Sequence, residues 1–354
     1  MITTTHEIVI ANAKKLRFIP DDSIALVVTS PPYPMIEMWD DLFKLQNPEI
    51  GNLIAKRSGP EAFELMHKEL DEVWKELYRV LIDGGIACIN IGDATRTIGD
   101  KFQLYSNHSR IEGQCFRIGF DTLPVILWRK QTNAPNKFLG SGTLPGNAYV
   151  TLEHEYILVL RKKGLRIFKS DEEKLNRRQS AYFFEERNIW FSDIWDFKGI
   201  KQNINHQDLR GRSAAFPFEL AYRLINMYSV KGDTVLDPFL GTGTTSFAAM
   251  ASCRNSIGVE IESNFRGFFE TQALKVAPNL NKYIQERLNQ HREFVENNKQ
   301  AKFKYTNVFY KFPVKTSGEV NLQIKYIKEL EKKDDHTFYI TYVDEPPSLM
   351  EIYK

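Results

Sequence analysis

The sequence predicts an α/β protein whose core is a doubly wound, mostly parallel sheet. Three observations carry that expectation. Apolar runs of strand length alternate with amphipathic helical stretches. The punctuation between them is Gly, Pro and Asp rather than long linkers, repeats or low-complexity tracts. A glycine-bearing loop, residues 237–245, joins a buried run directly to a helix. Strands that are apolar on both sides need helices on each face, which is the condition of a parallel sheet.

Taken in order, residues 7–11 and 25–29 are short β-branched runs bounded by polar turn residues, and read as strands. Residues 60–82 form the clearest helix. Phe63, Met66, Leu70, Val73, Leu77, Val80 and Leu81 recur at three and four, and Asp83-Gly84-Gly85 is its expected stop. Strands follow at 86–91, 122–128 and 156–160. Residues 217–229 read as a helix with Pro217 in its first turn, and Lys231-Gly232-Asp233 then turns into the strand 234–236. A helix from 244 to 253 and a strand at 256–260 complete the pattern.

Composition narrows the function classes. Apolar residues are 42% and charged residues 26% of 354, the balance of a folded globular chain and not of a disordered one. That length accommodates two domains, or one large domain with an appendage. Apolar runs such as 24–28 fall far short of the roughly 20 residues that cross a bilayer. The first seven residues carry no signal-peptide pattern, so no membrane association and a cytoplasmic location are expected. Cys88, Cys115 and Cys253 have no short spacing, which disfavours a disulfide framework or zinc cluster and fits a reducing compartment. The seven histidines form no ligand cluster, and no metal is expected; His154 reads as structural. With 47 Lys and Arg against 45 Asp and Glu, any nucleic-acid function must rest on local patches.

Two segments stand apart from the alternating pattern. Residues 161–212 hold thirteen Lys and Arg against eight Asp and Glu, with weak periodicity. Residues 270–354 read as an appended α+β lobe: long polar helices, a strand-like run near 303–312, another helix, and a strand at 337–343. Within it, 299–315 contains Lys299, Lys302, Lys304, Lys311 and Lys315 and no acid, interleaved with Phe303, Tyr305, Phe309, Tyr310 and Phe312. Two readings stay open for this run: an edge strand protected by lysines, or a nucleic-acid surface.

Two loops carry chemistry. The first is Asp237-Pro238-Phe239-Leu240-Gly241-Thr242-Gly243-Thr244-Thr245. Its glycines let backbone approach a ligand, and the following helix offers free N–H groups. It lacks the lysine of a phosphate-binding loop, and Ser246 stands where a dinucleotide fingerprint has its third glycine. A loop led by an acid and an aromatic suits a cationic, adenosine-bearing ligand instead. Glu260 ends the next strand, where an acid binds ribose hydroxyls in doubly wound sheets. The second loop is Thr29-Ser30-Pro31-Pro32-Tyr33-Pro34. Its prolines fix the backbone and remove amide donors, and its tyrosine offers a flat face to an aromatic ring. It describes a site that accepts hydrogen bonds from an amino group and holds the attached ring.

Together these residues resemble the S-adenosyl-L-methionine-dependent DNA amino-methyltransferases, in the permuted order that places the catalytic motif before the cofactor motif. The resemblance covers residues 7–268 and implies a Rossmann-like methyltransferase fold. By it, residues 1–269 are the catalytic domain, 161–212 a candidate target-recognition insertion, and 270–354 the appended lobe. Ser30, Pro31, Pro32 and Tyr33 look like the catalytic motif. Asn12, Thr29, Ser213, Phe216, Asp237, Pro238, Phe239, Gly241, Thr242, Gly243, Thr244 and Glu260 are the implied cofactor residues, with Asp237 on the methionine ammonium. The segments 72–81, 90–93 and 153–156 also match the family. One departure is visible: members commonly carry Gly-Asp where this chain has Ala11-Asn12, although an Asn carbonyl can accept the same hydrogen bond.

The resemblance implies methyl transfer to an exocyclic amino group of a base flipped out of double-stranded DNA. Tyr33 would stack on that base, and oxygens at Ser30 and Pro31 would accept its amino hydrogens. Cytosine-N4 is favoured over adenine-N6, because Ser30 stands where many adenine enzymes carry Asp. The expected setting is a restriction–modification system with a cognate endonuclease as a separate chain, the methyltransferase being a monomer or homodimer. Cytosine-C5 chemistry is disfavoured, since Ala87, Gln114 and Ser252, not proline, precede the three cysteines. Glutamine-methylating enzymes share the Pro-Pro-Tyr turn but carry their glycine loop first. A nucleotide-binding regulatory module without turnover is the alternative from another class, and the intact Ser30–Tyr33 motif speaks against it.

Overall fold

Period-two burial of apolar strand residues into two cores builds this molecule. A computed structural model describes residues 2–130, 139–198, 216–300 and 302–347. Its ten-stranded sheet comprises β1 (Thr3–Ile10), β2 (Ile24–Thr29), β3 (Leu81–Ile91), β4 (Phe120–Arg129), β5 (His154–Lys162), β6 (Ile194–Asp196), β7 (Thr234–Asp237), β8 (Asn255–Glu260), β9 (Tyr326–Lys332) and β10 (Thr337–Val343). The spatial order is β6-β4-β5-β3-β2-β7-β8-β1-β10-β9. The central strands β1, β8, β7, β2 and β3 pair in parallel, while β5 and β10 run against their neighbours.

Alternate residues of each central strand enter opposite cores. Leu26, Val28, Cys88, Ile157, Val159 and Val235 face one cluster, with Tyr222, Met250 and Phe269 from the covering helices. Val27, Ala87, Ile89, Leu158, Leu160 and Leu236 face the other, with Met66, Trp74 and Leu77. Full burial of each such side chain contributes about 1.5–3 kcal/mol, and β2, buried at every position, carries no polar face. The covering helices are α1 (Gly59–Val80), α2 (Asn107–Ile118), α3 (Phe218–Tyr228), α4 (Thr244–Ala251) and α5 (Asn264–Asn297).

The doubly wound architecture is as expected, and several boundaries move. The first helix ends at Val80, and Leu81, already extended (φ −67°, ψ 139°), starts β3 by pairing with Ile24. Asp83-Gly84-Gly85 therefore lies inside a strand, at an irregularity facing residues 24–26. Gly84 sits at φ +77°, where a Cβ would fall 2.2 Å from the backbone nitrogen of Arg166.

The C-terminal lobe is α+β and is built onto the sheet itself. Residue 270 falls inside α5, and β10 pairs antiparallel with β1 from Thr3↔Thr341 to Glu7↔Thr337. The helix expected between 312 and 337 is instead a single 3-10 turn, Ser317–Glu319, followed by strand β9. The strand-like run near 303–312 is largely a turn, with Tyr305–Thr306 paired to Pro313–Val314. Neither two-residue strand belongs to the large sheet; they pair only with each other, so each is an edge. The segment 161–212 is also more regular than its periodicity indicated. It forms helix Asp171–Gln179, capped reciprocally by Ser170 and Glu173, helix Phe184–Trp190, and β6, which extends the sheet beside β4. Residues 199–212 lie outside the described residues.

Candidate active site

The carboxyl ends of β1, β2, β7 and β8 open on one edge of the sheet, the position at which doubly wound sheets bind ligands. A cleft there encloses about 1030 Å³, its open mouth included. Asn12, Ser30, Pro31, Pro32, Phe216, Asp237, Pro238, Phe239, Gly241, Thr242, Thr244 and Glu260 all line it. Residues from two loops far apart in sequence thus meet in one space because β2 and β7 are neighbours.

Two acids dominate the cleft. Asp237 is 3% exposed; its Oδ1 accepts the Thr29 hydroxyl at 2.6 Å and the Phe239 N–H at 3.0 Å. Burial pushes its carboxyl up to about 6, against which these hydrogen bonds act. Glu260 accepts the Gly241 N–H on one oxygen at 2.9 Å, and the Ile261 and Glu262 N–H groups on the other at 2.9 and 3.0 Å. Burial raises its pKa as well. Among the described residues the cation lining the cleft is Lys14, already paired with Glu69 of α1. Two buried carboxylates without cationic partners favour a ligand that brings positive charge and hydroxyl donors.

Gly243 stands behind this surface. It caps α4 at φ +88°, and a Cβ there would fall 2.2 Å from the Phe269 ring. Thr29 is fully buried and acts through Asp237. Asn12 is exposed at the mouth, and one lone pair of its carbonyl already takes the Lys14 N–H at 3.0 Å. Ser213 lies outside the described residues.

Tyr33 is turned inward. Its ring is 7% exposed and does not line the cleft. Its hydroxyl donates to Oε2 of Glu155 at 3.1 Å and accepts from Ser30 Oγ at 3.0 Å and Asn90 Nδ2 at 2.9 Å. Asn90 Nδ2 also reaches Glu155 at 2.7 Å, and Lys130 pairs with the other oxygen of Glu155. Burial, followed by the negative charge of Glu155, holds the phenol protonated. Oδ1 of Asn90 is buried without a hydrogen-bond partner among the described residues. His154 is half-buried and packs edge-on against Tyr156, whose ring stacks on His108 at 3.8 Å.

Sequence reasoning missed the wall opposite the glycine loop. Trp39, Glu69, Leu70, Val73 and Phe265 line the cleft. Leu70 and Val73 carried a visible periodic signal, but periodicity alone does not separate a core position from a cleft wall. Asn90, Lys130 and Glu155 carried no local signal for their shared network.

Comparison with known proteins agrees with this geometry. The DNA methylase family profile matches residues 24–271. The Type II methyltransferase M.MthZI of Methanothermobacter thermautotrophicus is 51% identical over 97% of this chain and 97% of its own length. M.MjaI of Methanocaldococcus jannaschii, also a Type II methyltransferase, is 53% identical over 76% of this chain and 91% of its own. A Thermus thermophilus protein, provisionally described as a DNA modification methylase and solved with S-adenosyl-L-methionine, superposes with TM-score 0.58. It is 33% identical, covering 75% of this chain and 94% of that one.

Proposed function

The chain belongs to the DNA methylase family and is an S-adenosyl-L-methionine-dependent DNA methyltransferase; from that premise we propose that it methylates the exocyclic N4 of cytosine within a specific sequence of double-stranded DNA. Its relatives carry Type II names, which supports placing it as the modification half of a restriction–modification system with a separate endonuclease chain.

The cofactor supplies an electrophilic methyl group when bound. In this reading Asp237 would hold its ammonium and Glu260 its ribose hydroxyls, while Phe239 and the α1 wall, which line the cleft, would give apolar surface. The chain's own contribution is positioning and hydrogen-bond acceptance, since an amino nitrogen conjugated to a base is a weak nucleophile.

The observation that carries the reading is the direction of the Ser30–Tyr33–Glu155 chain. A carboxylate only accepts, so the Tyr33 proton points to Glu155 and the Ser30 proton points to Tyr33. The lone pairs of Ser30 are then left to accept an amino hydrogen of the flipped base. The Pro31 carbonyl, on the same loop, would be a further acceptor. A neutral hydroxyl at position 30, rather than a carboxylate, supports cytosine, and the resemblance points the same way.

Digestion of methylated DNA to nucleosides, separated by mass, tests the product. An N4-methylcytidine peak is expected. A methyladenosine peak alone overturns the cytosine assignment and leaves amino-methylation standing.

A further inference from the structure

Residues 302–315 of the lysine-rich run form a turn tied by side-chain hydrogen bonds. Asn307 is fully buried at its centre. Its side-chain amide donates to the carbonyls of Glu319 and Leu322, each at 2.9 Å, and its carbonyl accepts the N–H groups of Phe309 and Tyr310, each at 2.9 Å. Lys311 is held at φ +60°, a conformation non-glycine residues rarely adopt. The turn presents Lys302, Lys304 and Lys311 to solvent, beside Tyr305 and Phe309, which are 40% and 42% exposed. Among the described residues no ion pair engages these three lysines.

This surface lies far from the cleft. Helix α5 has 34 residues, about 50 Å at 1.5 Å per residue. Its second residue, Phe265, lines the cleft, and Phe294 in its last turn packs on Phe303. The strand that follows the turn, β9, begins at Tyr326 opposite Val343, at the end of the sheet where the parallel strands start.

We propose that this turn is a second nucleic-acid site that takes a single strand, with the lysines on its phosphates and the rings of Tyr305 and Phe309 against its bases. The positive charge complements a polyanion. The exposed rings favour a strand whose bases are free, because duplex bases are stacked inside. The proposal goes beyond methyl transfer and does not depend on which base is methylated.

The test compares the full chain with K302E/K304E/K311E and with Y305A/F309A. Fluorescence anisotropy reads binding of labelled 20-nucleotide oligo(dT) and oligo(U) across a salt series. The lysine variant is expected to lose at least tenfold in affinity, with the log–log salt slope shallower by about 2, at ~0.7 per phosphate. The aromatic variant is expected to lose about fivefold or more. Methyl transfer to duplex plasmid and affinity for S-adenosylhomocysteine stay at wild-type values in both. Equal losses for the two oligonucleotides assign a general single-strand site, and a loss confined to oligo(U) assigns RNA. Unchanged oligonucleotide binding overturns the proposal. So does a loss in the lysine variant alone, or competition by poly-glutamate at equal charge, either of which assigns a plain polyanion or acidic-protein surface. A parallel loss of plasmid methylation overturns it too, by placing the turn on the catalytic duplex.

Discussion

The hydroxyl of Thr29 donates a 2.6 Å hydrogen bond to Oδ1 of Asp237, tying the last residue of β2 to the last residue of β7. One strand runs into the Ser30–Tyr33 loop and the other into the glycine loop. A single buried contact between residues 208 positions apart therefore sets the Ser30–Tyr33 loop against the glycine loop.

Thr29→Val keeps the shape and removes that donor. The Asp237 carboxyl then rises beyond its value of about 6, and less carboxylate is available near pH 7. Affinity for S-adenosylhomocysteine is expected to fall about 5–30-fold at pH 7, for a loss of ~1–2 kcal/mol, and to recover in part at pH 8.5. Calorimetry at the two pH values measures this; equal affinity of variant and wild type at both would show that the bond does not support the carboxylate.

Asp237→Asn should abolish cofactor binding while stabilising the unliganded protein. The folded pKa of about 6 lies above the ordinary 3.8. The folded state thus holds the proton more tightly, and stability from this group is full below pH 3.8 and lost as pH rises through 6. The amide keeps the acceptor for Thr29 and Phe239 without the charge. The variant's advantage in thermal unfolding should be absent near pH 4 and reach up to about 3 kcal/mol by pH 8. A wild-type melting temperature in the variant at pH 8 contradicts this account.

Two glycines of one loop should respond differently. Gly243→Ala places a methyl 2.2 Å from Phe269 at φ +88°, so packing must shift and the melting temperature should drop by several degrees or more. At Gly241, φ +51°, a Cβ meets nothing nearer than 3.8 Å. Alanine there should cost only about 1 kcal/mol of backbone strain. Gly241→Asp should fold yet lose the cofactor, because its carboxylate enters the cleft beside Glu260. Equal melting temperatures for the two alanine variants would sink the packing argument.

Tyr33→Phe retains the ring and leaves Ser30 and Asn90 without the phenol oxygen that takes their protons. Methyl transfer is expected to fall about 10-fold or more through kcat, with cofactor affinity unchanged. Tyr33→Ala should fall further and also lose stability, since the ring is buried. Full turnover in Tyr33→Phe would remove the network from the mechanism.

The motifs were legible because each is a local device. Asp237-Pro238-Phe239-Leu240-Gly241 and Ser30-Pro31-Pro32-Tyr33 carry their chemistry within a few residues, and both loops line the cleft as expected. The inward turn of Tyr33 was not legible, because nothing local reveals that Glu155, 122 positions away, draws its hydroxyl. The C-terminal strand pattern was half-read for a related reason. β9 sets Lys328, Glu329, Glu331 and Lys332 around Leu330 along a sheet edge, so helical and strand periods are hard to separate there.

The sequence by itself determined the layers and the cofactor loop. Both follow from short-range physics: apolar runs need cover on two faces, and glycine permits backbone that other residues resist. Tertiary structure alone decided which loops share a space, where Tyr33 turns, and that the basic turn at 302–315 sits at the far end of α5 from the cleft. Those outcomes depend on strand order, and strand order is set by the sum of burial over two whole cores. No stretch of residues specifies that β2 lies between β3 and β7, yet that adjacency places Thr29 against Asp237.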